Sequence, residues 1–420
     1  MQTGSFLLSE NTRQRDYLVM GLIGIAHAMS HFCQLVLPLL LPWITADFNI
    51  TYAQASLALS IFYGVSCLVQ TTSGFVVDQR GGRPVLLFGL VMIVLGLVGY
   101  AISTNLWMLM AAAVVLGFGN GVFHPADYTL MNKLVRSQRI GRAYSIHGIS
   151  GNLGWALTPL LVPPVAIYTG SWQVAALSAA VLVALVLLMV FIFRKNLDEW
   201  VEDVSKARKD TPGCAEAEVS TGAPTGSEPA LAFLKLPSIW LCLVFFFFFA
   251  LSNSAIQNYA AVAVTGLFGF AEQNAGFCVT VYMLASAVGM LWGGVLASDP
   301  SKCERIVGVA FGCAAAISLI LAFVPLAGLA VFGMFALMGF STGIAGPSRD
   351  LIVKRATPPG ASGRVFGFVY AGLDIGQFIA PMLYARFIDL QYFSGLFMAL
   401  AAVQAVLIAS AFNVKWMARK

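Results

Sequence analysis

Charge is what this sequence has least of. Only 10% of its 420 residues are Asp, Glu, Lys or Arg, against about a quarter in soluble domains. That excludes an ordinary soluble globular protein. Cysteine is sparse and unpatterned. Cys33, Cys67, Cys214, Cys242, Cys278, Cys303 and Cys313 are odd in number and lie mostly in apolar stretches, so neither a disulfide framework nor a metal site is expected. No phosphate-binding loop occurs, and His27 and His31 lack the glutamate of an HExxH zinc motif. The first apolar stretch is too long for a signal-peptide core and has no small-residue cleavage site.

What is abundant is hydrocarbon, at 59% apolar residues. A helix needs about 20 apolar residues to cross about 30 Å of bilayer. Twelve stretches qualify: 17–44, 54–76, 84–104, 106–131, 143–168, 172–194, 238–264, 274–297, 306–325, 327–353, 364–386 and 393–414. The net charge of +5 follows this pattern. Arg80, Arg83, Lys133, Arg136, Arg139, Arg142, the cluster Arg194 to Lys235, Lys302, Arg305, Lys354, Arg355, Arg364 and the C-terminal Lys415, Arg419 and Lys420 fall in loops on one side. Arg386 falls on the other, and Arg349 within a segment. The positive-inside bias makes that side, with both termini, cytoplasmic. A multi-pass protein of the plasma (inner) membrane is expected, with the lipid bilayer as partner and no nucleic acid.

Residues 195–235 are polar and rich in Gly, Pro, Ser, Thr, Ala and Glu, the composition of a flexible linker. They divide a first bundle, 1–194, from a second, 236–420. The two repeat. At an offset of 222 positions, Gly117, Gly121 and Pro125 fall on Gly339, Gly343 and Pro347, and Gly154 and Pro159 fall on Gly376 and Pro381. Paired six-segment halves point to a secondary transporter with its site near midplane between the repeats.

The loop after segment 2, GFVVDQRGGRP from Gly74 to Pro84, carries an acid and then a basic, glycine-rich cluster. It resembles the signature loop of the major facilitator superfamily. Asp78, Gly81 and Arg83 match, while Gln79 and Gly82 stand where basic residues are usual. FHPAD, from Phe123 to Asp127, and the later GNLGWALTP are similar to the fosmidomycin-resistance-type branch, with the acid one residue later. The arginine of proton-coupled drug antiporters is missing from segment 4, and their Gly-Pro element is incomplete in segment 5, with Thr158-Pro159 in its place. The resemblance implies an all-α polytopic membrane protein with 12 transmembrane helices in two pseudo-symmetric six-helix bundles. Segments 1, 4, 7 and 10 would line the cavity, and 3, 6, 9 and 12 would face lipid. Independently, segments 3, 6, 9 and 12 hold no Asp, Glu, Lys, Arg or His in their interiors, while all four histidines lie in 1, 4 and 5. Charge in hydrocarbon costs several kcal/mol.

Segment 1 carries His27, His31 and Gln34 on one helix face. Segment 11 carries Asp374 and Gln377, with Asp374 about 15 Å from the segment's start. Its repeat partner is Asn152, near Trp155, and segment 7 offers Asn253 and Gln257. These residues are expected to bind substrate, with Asp374 and His31 carrying the proton. Arg349 is the expected anchor for an anion. Gly117, Gly119 and Gly121 are expected to pack helices. Phe245 to Phe249 are read as packing or lipid-facing residues. From the resemblance, the signature loop is expected to latch the cytoplasmic side through Gly74, Asp78, Arg83, His124, Asp127 and Asp350, with Arg83 paired to Asp127.

The expected function is proton-coupled movement, a symport, of a small organic anion such as a carboxylate by alternating access. Efflux of a toxic compound is the alternative within transport, and a non-transporting sensor or scaffold the alternative outside it. No cofactor, no resident metal and no catalytic reaction are expected, and the chain is expected to work as a monomer.

Overall fold

The computed structural model describes residues 2–136, 139–198, 232–296, 302–326, 328–356 and 362–417. The linker's centre, residues 199–231, lies outside them. In chain order the helices are α1 (Gln2–Phe48), α2 (Tyr52–Arg80), α3 (Gly82–Ala101), α4 (Leu106–Asn120), α5 (Phe123–Leu134), α6 (Ile140–Thr169) and α7 (Trp172–Ile192). Then follow α8 (Pro237–Ser254), α9 (Ala260–Phe268), α10 (Glu272–Leu296), α11 (Cys303–Phe323), α12 (Leu329–Ala356), α13 (Ser362–Asp389) and α14 (Phe393–Met417). Eleven stretches among the described residues are long and apolar enough to cross a membrane. The 30-residue α6 is the twelfth element of the fold.

Two segments are not single helices. Segment 4 is α4 and α5, interrupted at Gly121 and Val122. The cause is Pro125, which has no N–H to give to the carbonyl of Gly121 and whose ring crowds it. The Ser73 hydroxyl reaches that carbonyl at 3.4 Å. Segment 7 is α8 and α9, joined through a π-turn at Ala255–Tyr259. The sequence predicts a bend at Pro125 and a single continuous span over 238–264.

Helix starts follow local chemistry. Thr51 and Gln54 form a reciprocal capping box on α2, and Asn105 and Ser171 cap α4 and α7. Such a cap contributes about 1 kcal/mol. Gly81, with φ of +81°, makes the sharp turn between α2 and α3.

Glycines set the helix pairing. A Cβ on Gly117 would sit 2.6 Å from the Phe62 carbonyl oxygen, and one on Gly121 would sit 2.5 Å from that of Ser66. Their repeat mates Gly339 and Gly343 press equally on the carbonyls of Tyr282 and Ser286. Gly119 packs against α3 at Gly89 and Ile93. Gly154 meets Ala28, and its mate Gly376 meets Phe247. Thus α1 packs on α6 as α8 packs on α13, and α2 packs on α4 as α10 packs on α12. The repeated sequence is a repeated packing. The two bundles meet along α2 with α13 and α6 with α10, a pair of contacts related by the same exchange.

Large apolar side chains remain uncovered where lipid is expected. Phe88, Val91 and Leu95 on α3 and Val181, Leu185 and Leu188 on α7 are exposed. Lipid takes the place of a protein neighbour there.

Candidate functional site

Four histidines converge at the centre of the first bundle. His27 and His31 come from α1, His124 from α5 and His147 from α6. The spacing of four residues puts His27 and His31 on one face, with ring centroids 4.5 Å apart. His27, only 2% exposed, stacks on His147 at 3.6 Å. Between them lies Asp127, 0% exposed. One carboxylate oxygen is 3.1 Å from His147 Nε2 and 3.0 Å from His27 Nδ1. The second contact is out of line for a hydrogen bond, and the other Asp127 oxygen has no partner.

His31 leans on Trp155, with centroids 4.2 Å apart. Neither of its ring nitrogens has a hydrogen-bond partner. Gly151 makes room for the ring, since a Cβ there would lie 2.9–3.1 Å from imidazole atoms.

Beside the histidines runs a chain of amides. Trp155 Nε1 donates to Gln34 Oε1 at 3.0 Å, and Gln34 Nε2 donates to Asn120 Oδ1 at 3.1 Å. Ser30 donates to the same Asn120 oxygen at 2.8 Å, and Asn120 donates to Ser66 at 2.8 Å. A second chain crosses between the bundles. His124 Nδ1 lies 2.8 Å from Gln70 Oε1, and Gln70 Nε2 donates to Asp374 Oδ2 at 2.6 Å. The one carboxylate in the middle of α13 is thereby linked, through α2, to the histidine cluster.

Other candidates have other partners. Asn152 donates to Met290 Sδ at 3.0 Å, across the second bundle contact. Gln377 donates to Gln257 at 3.3 Å, beside the π-turn, while Asn253 is half-buried a turn earlier. Arg349 lies over the rings of Phe246 and Phe249, at 5.0 and 4.5 Å. These two phenylalanines therefore do more than fill space, because aromatic faces attract a guanidinium.

The expected latch is assembled differently. Arg83 pairs with Asp198, after α7, and not with Asp127. The reason is depth: Arg83 stands at the surface start of α3, whereas Asp127 is sealed among imidazoles. Asp127 and His124 thus belong to the same cluster as His27 and His31. Gly74 has open space at its Cβ position. The side chains of Asp78 and Asp350 lie outside the described residues.

Sequence reading passed over Ser30, Ser66, Gln70, Asn120 and His147 as site residues. Gln70 and Asn120 carry one available signal, an amide inside an apolar segment. Asn120 was hidden among packing glycines.

The profile of the Major Facilitator Superfamily matches residues 23–381. The chain belongs to this superfamily. Among its relatives is the fosmidomycin resistance protein of Escherichia coli, 25% identical over 379 residues, covering 89% of this chain and 88% of that protein. A probable nitrate transporter of Staphylococcus aureus is 29% identical over 154 residues, 37% of this chain and 39% of that protein. Among solved structures, a bacterial homolog of the human lysosomal transporter Spinster superposes with a TM-score of 0.75. The match has 11% identity and covers 96% of this chain and 97% of the other. The fold is the major facilitator fold, in a multi-pass membrane protein.

Proposed function

We propose that this superfamily member is a secondary transporter that carries a small organic anion by alternating access, coupled to a proton. The observation that carries the reading is the bridge Asp374–Gln70–His124. It joins a carboxylate of one bundle to the histidine cluster of the other. A proton on or off Asp374 changes what Gln70 can donate to, so proton occupancy and bundle contact are coupled. Asp374 is the proton carrier in this reading. His31, Gln34 and Trp155 face the substrate from the first bundle, and Arg349 draws the anion toward the passage. The signature-loop end is read as cytoplasmic from the distribution of Lys and Arg.

Similarity to a probable nitrate transporter supports an anion. Similarity to a fosmidomycin resistance protein favours a second reading, outward movement of a toxic compound. The test uses proteoliposomes and a panel of radiolabelled carboxylates and phosphonates, with a pH gradient imposed in either direction. Asp374→Asn should abolish gradient-driven accumulation and leave counterflow exchange intact. Accumulation by the variant equal to the parent's would remove Asp374 as the proton carrier. Solute that accumulates only when the proton gradient is directed out of the vesicles, by exchange for protons, would favour efflux.

A further inference from the structure

We propose that His27, His31 and His124 together bind a divalent transition-metal ion. One ring nitrogen from each lies within 4.8 Å of the others. His27 is buried, and the other two are half-buried.

The hydrogen-bond network leaves the right atoms vacant. Gln70 uses its amide N–H on Asp374, so its oxygen faces His124 Nδ1. That nitrogen must then carry the proton, and Nε2 keeps its lone pair. His27 Nδ1 stands 3.0 Å from Asp127 without a hydrogen bond, so its proton is not committed and a ring nitrogen is free to ligate. His31 has no partner for either nitrogen. Buried imidazoles with both nitrogens of His31 and Nδ1 of His27 unmatched form a costly arrangement for a neutral core. They form a favourable one for a cation.

The donor chemistry selects the ion. Imidazole suits Zn²⁺, Co²⁺, Ni²⁺ and Cu²⁺ rather than Mg²⁺ or Ca²⁺. Three nitrogens at about 2.1 Å would stand about 3.4 Å apart in a tetrahedral site, so modest ring rotations close the gap. A ligating histidine commonly gives its other N–H to a carboxylate or carbonyl. The Gln70 amide oxygen occupies that outer position for His124, and Asp127, hydrogen-bonded to His147, stands 3.0 Å from His27 Nδ1. A second grouping, His27, Asp127 and His147, is equally close. There His147 Nε2 and Asp127 are already hydrogen-bonded to each other, so that donor set is partly used without metal.

Three protein ligands leave a fourth position open. An oxygen of an anionic solute completes it, so the substrate class narrows to anions that chelate a metal ion. This last step rests on the anion-transport reading; the metal site itself does not.

The test measures metal alone, on the full chain purified without a polyhistidine tag. Zinc chloride titrated by calorimetry should bind at one ion per chain. His31→Asn and His124→Gln should each weaken binding by about 100-fold or more, and His147→Gln by about tenfold. Retained monodispersity on gel filtration separates lost ligands from lost fold. X-ray absorption of the zinc-loaded parent protein should show an imidazole nitrogen shell at about 2.0–2.1 Å, a readout that needs no variant. The proposal is overturned by absence of saturable binding, by a sulfur shell, or by His147→Gln weakening binding more than His124→Gln. Any of these results leaves the uptake assay above to judge anion transport separately.

Discussion

His31 shows how much a residue's meaning depends on its neighbours. A histidine on an apolar face is most often a hydrogen-bonded core residue, and His147 fits that description with its contact to Asp127. His31 has an aromatic wall, a glycine floor and no hydrogen-bond partner. Gly151 is therefore a site residue through the space it leaves. Gly151→Val should displace the imidazole and cost about 1–3 kcal/mol through overpacking. A lowered midpoint in a thermal-shift assay, with zinc affinity and uptake both reduced, is expected. Unchanged zinc affinity would show that His31 keeps its place without the glycine. Gln70 is the reverse case, a residue whose type is unremarkable and whose position is decisive. It is the link between Asp374 and His124.

At the scale of elements, small residues and backbone breaks carry the information. Gly121→Leu would drive a side chain into the Ser66 carbonyl and Val69. It should lower thermal stability by about 1–3 kcal/mol or more, the cost of overpacking. Gly312→Ala, with nothing within 4 Å of the added carbon, should be neutral or slightly stabilising, because alanine is the better helix former. Equal losses for the two variants would mean that the glycine contacts do not set the pairing of α2 with α4. The interruption before Phe123 and the π-turn at Ala255–Tyr259 fall beside His124 and Gln257. Both release backbone from regular pairing next to a polar side chain, as π-turns at functional sites commonly do.

Across the whole molecule, the bundles are tied at the end opposite the signature loop. Asp389, last residue of α13, accepts from the N–H groups of Tyr52 and Ala53 at 2.7 and 3.0 Å. An anion at a helix N-terminus is favoured by about 0.3–1 kcal/mol when exposed. Tyr259 donates to Ser56 at 3.0 Å, Ser60 to the Phe378 carbonyl at 2.9 Å, and Thr280 to the Ala156 carbonyl at 3.1 Å. Asp389→Asn removes the charge but keeps the shape. It should raise the population open at that end by a few-fold, since about 1 kcal/mol changes a population ratio about fivefold. Labelling of a cysteine placed at Tyr52 should speed up accordingly. Unchanged labelling would mean that the other ties hold that end alone.

The sequence by itself determined that this chain spans a membrane, that it has twelve segments, and that its halves repeat. Those properties are carried by local hydropathy and by glycine and proline positions at a fixed offset, and hydrocarbon enforces them on each helix separately. It also exposed the buried ionisable residues, because charge and histidine are rare in apolar segments. It did not determine how they combine. Asp127 read as a gate partner of Arg83, and no metal site was visible, because His27 and His124 are 97 positions apart. Only the packing of α1, α2, α5 and α6 decided that these side chains form one cluster. Only the meeting of α2 with α13 decided that Asp374 joins it.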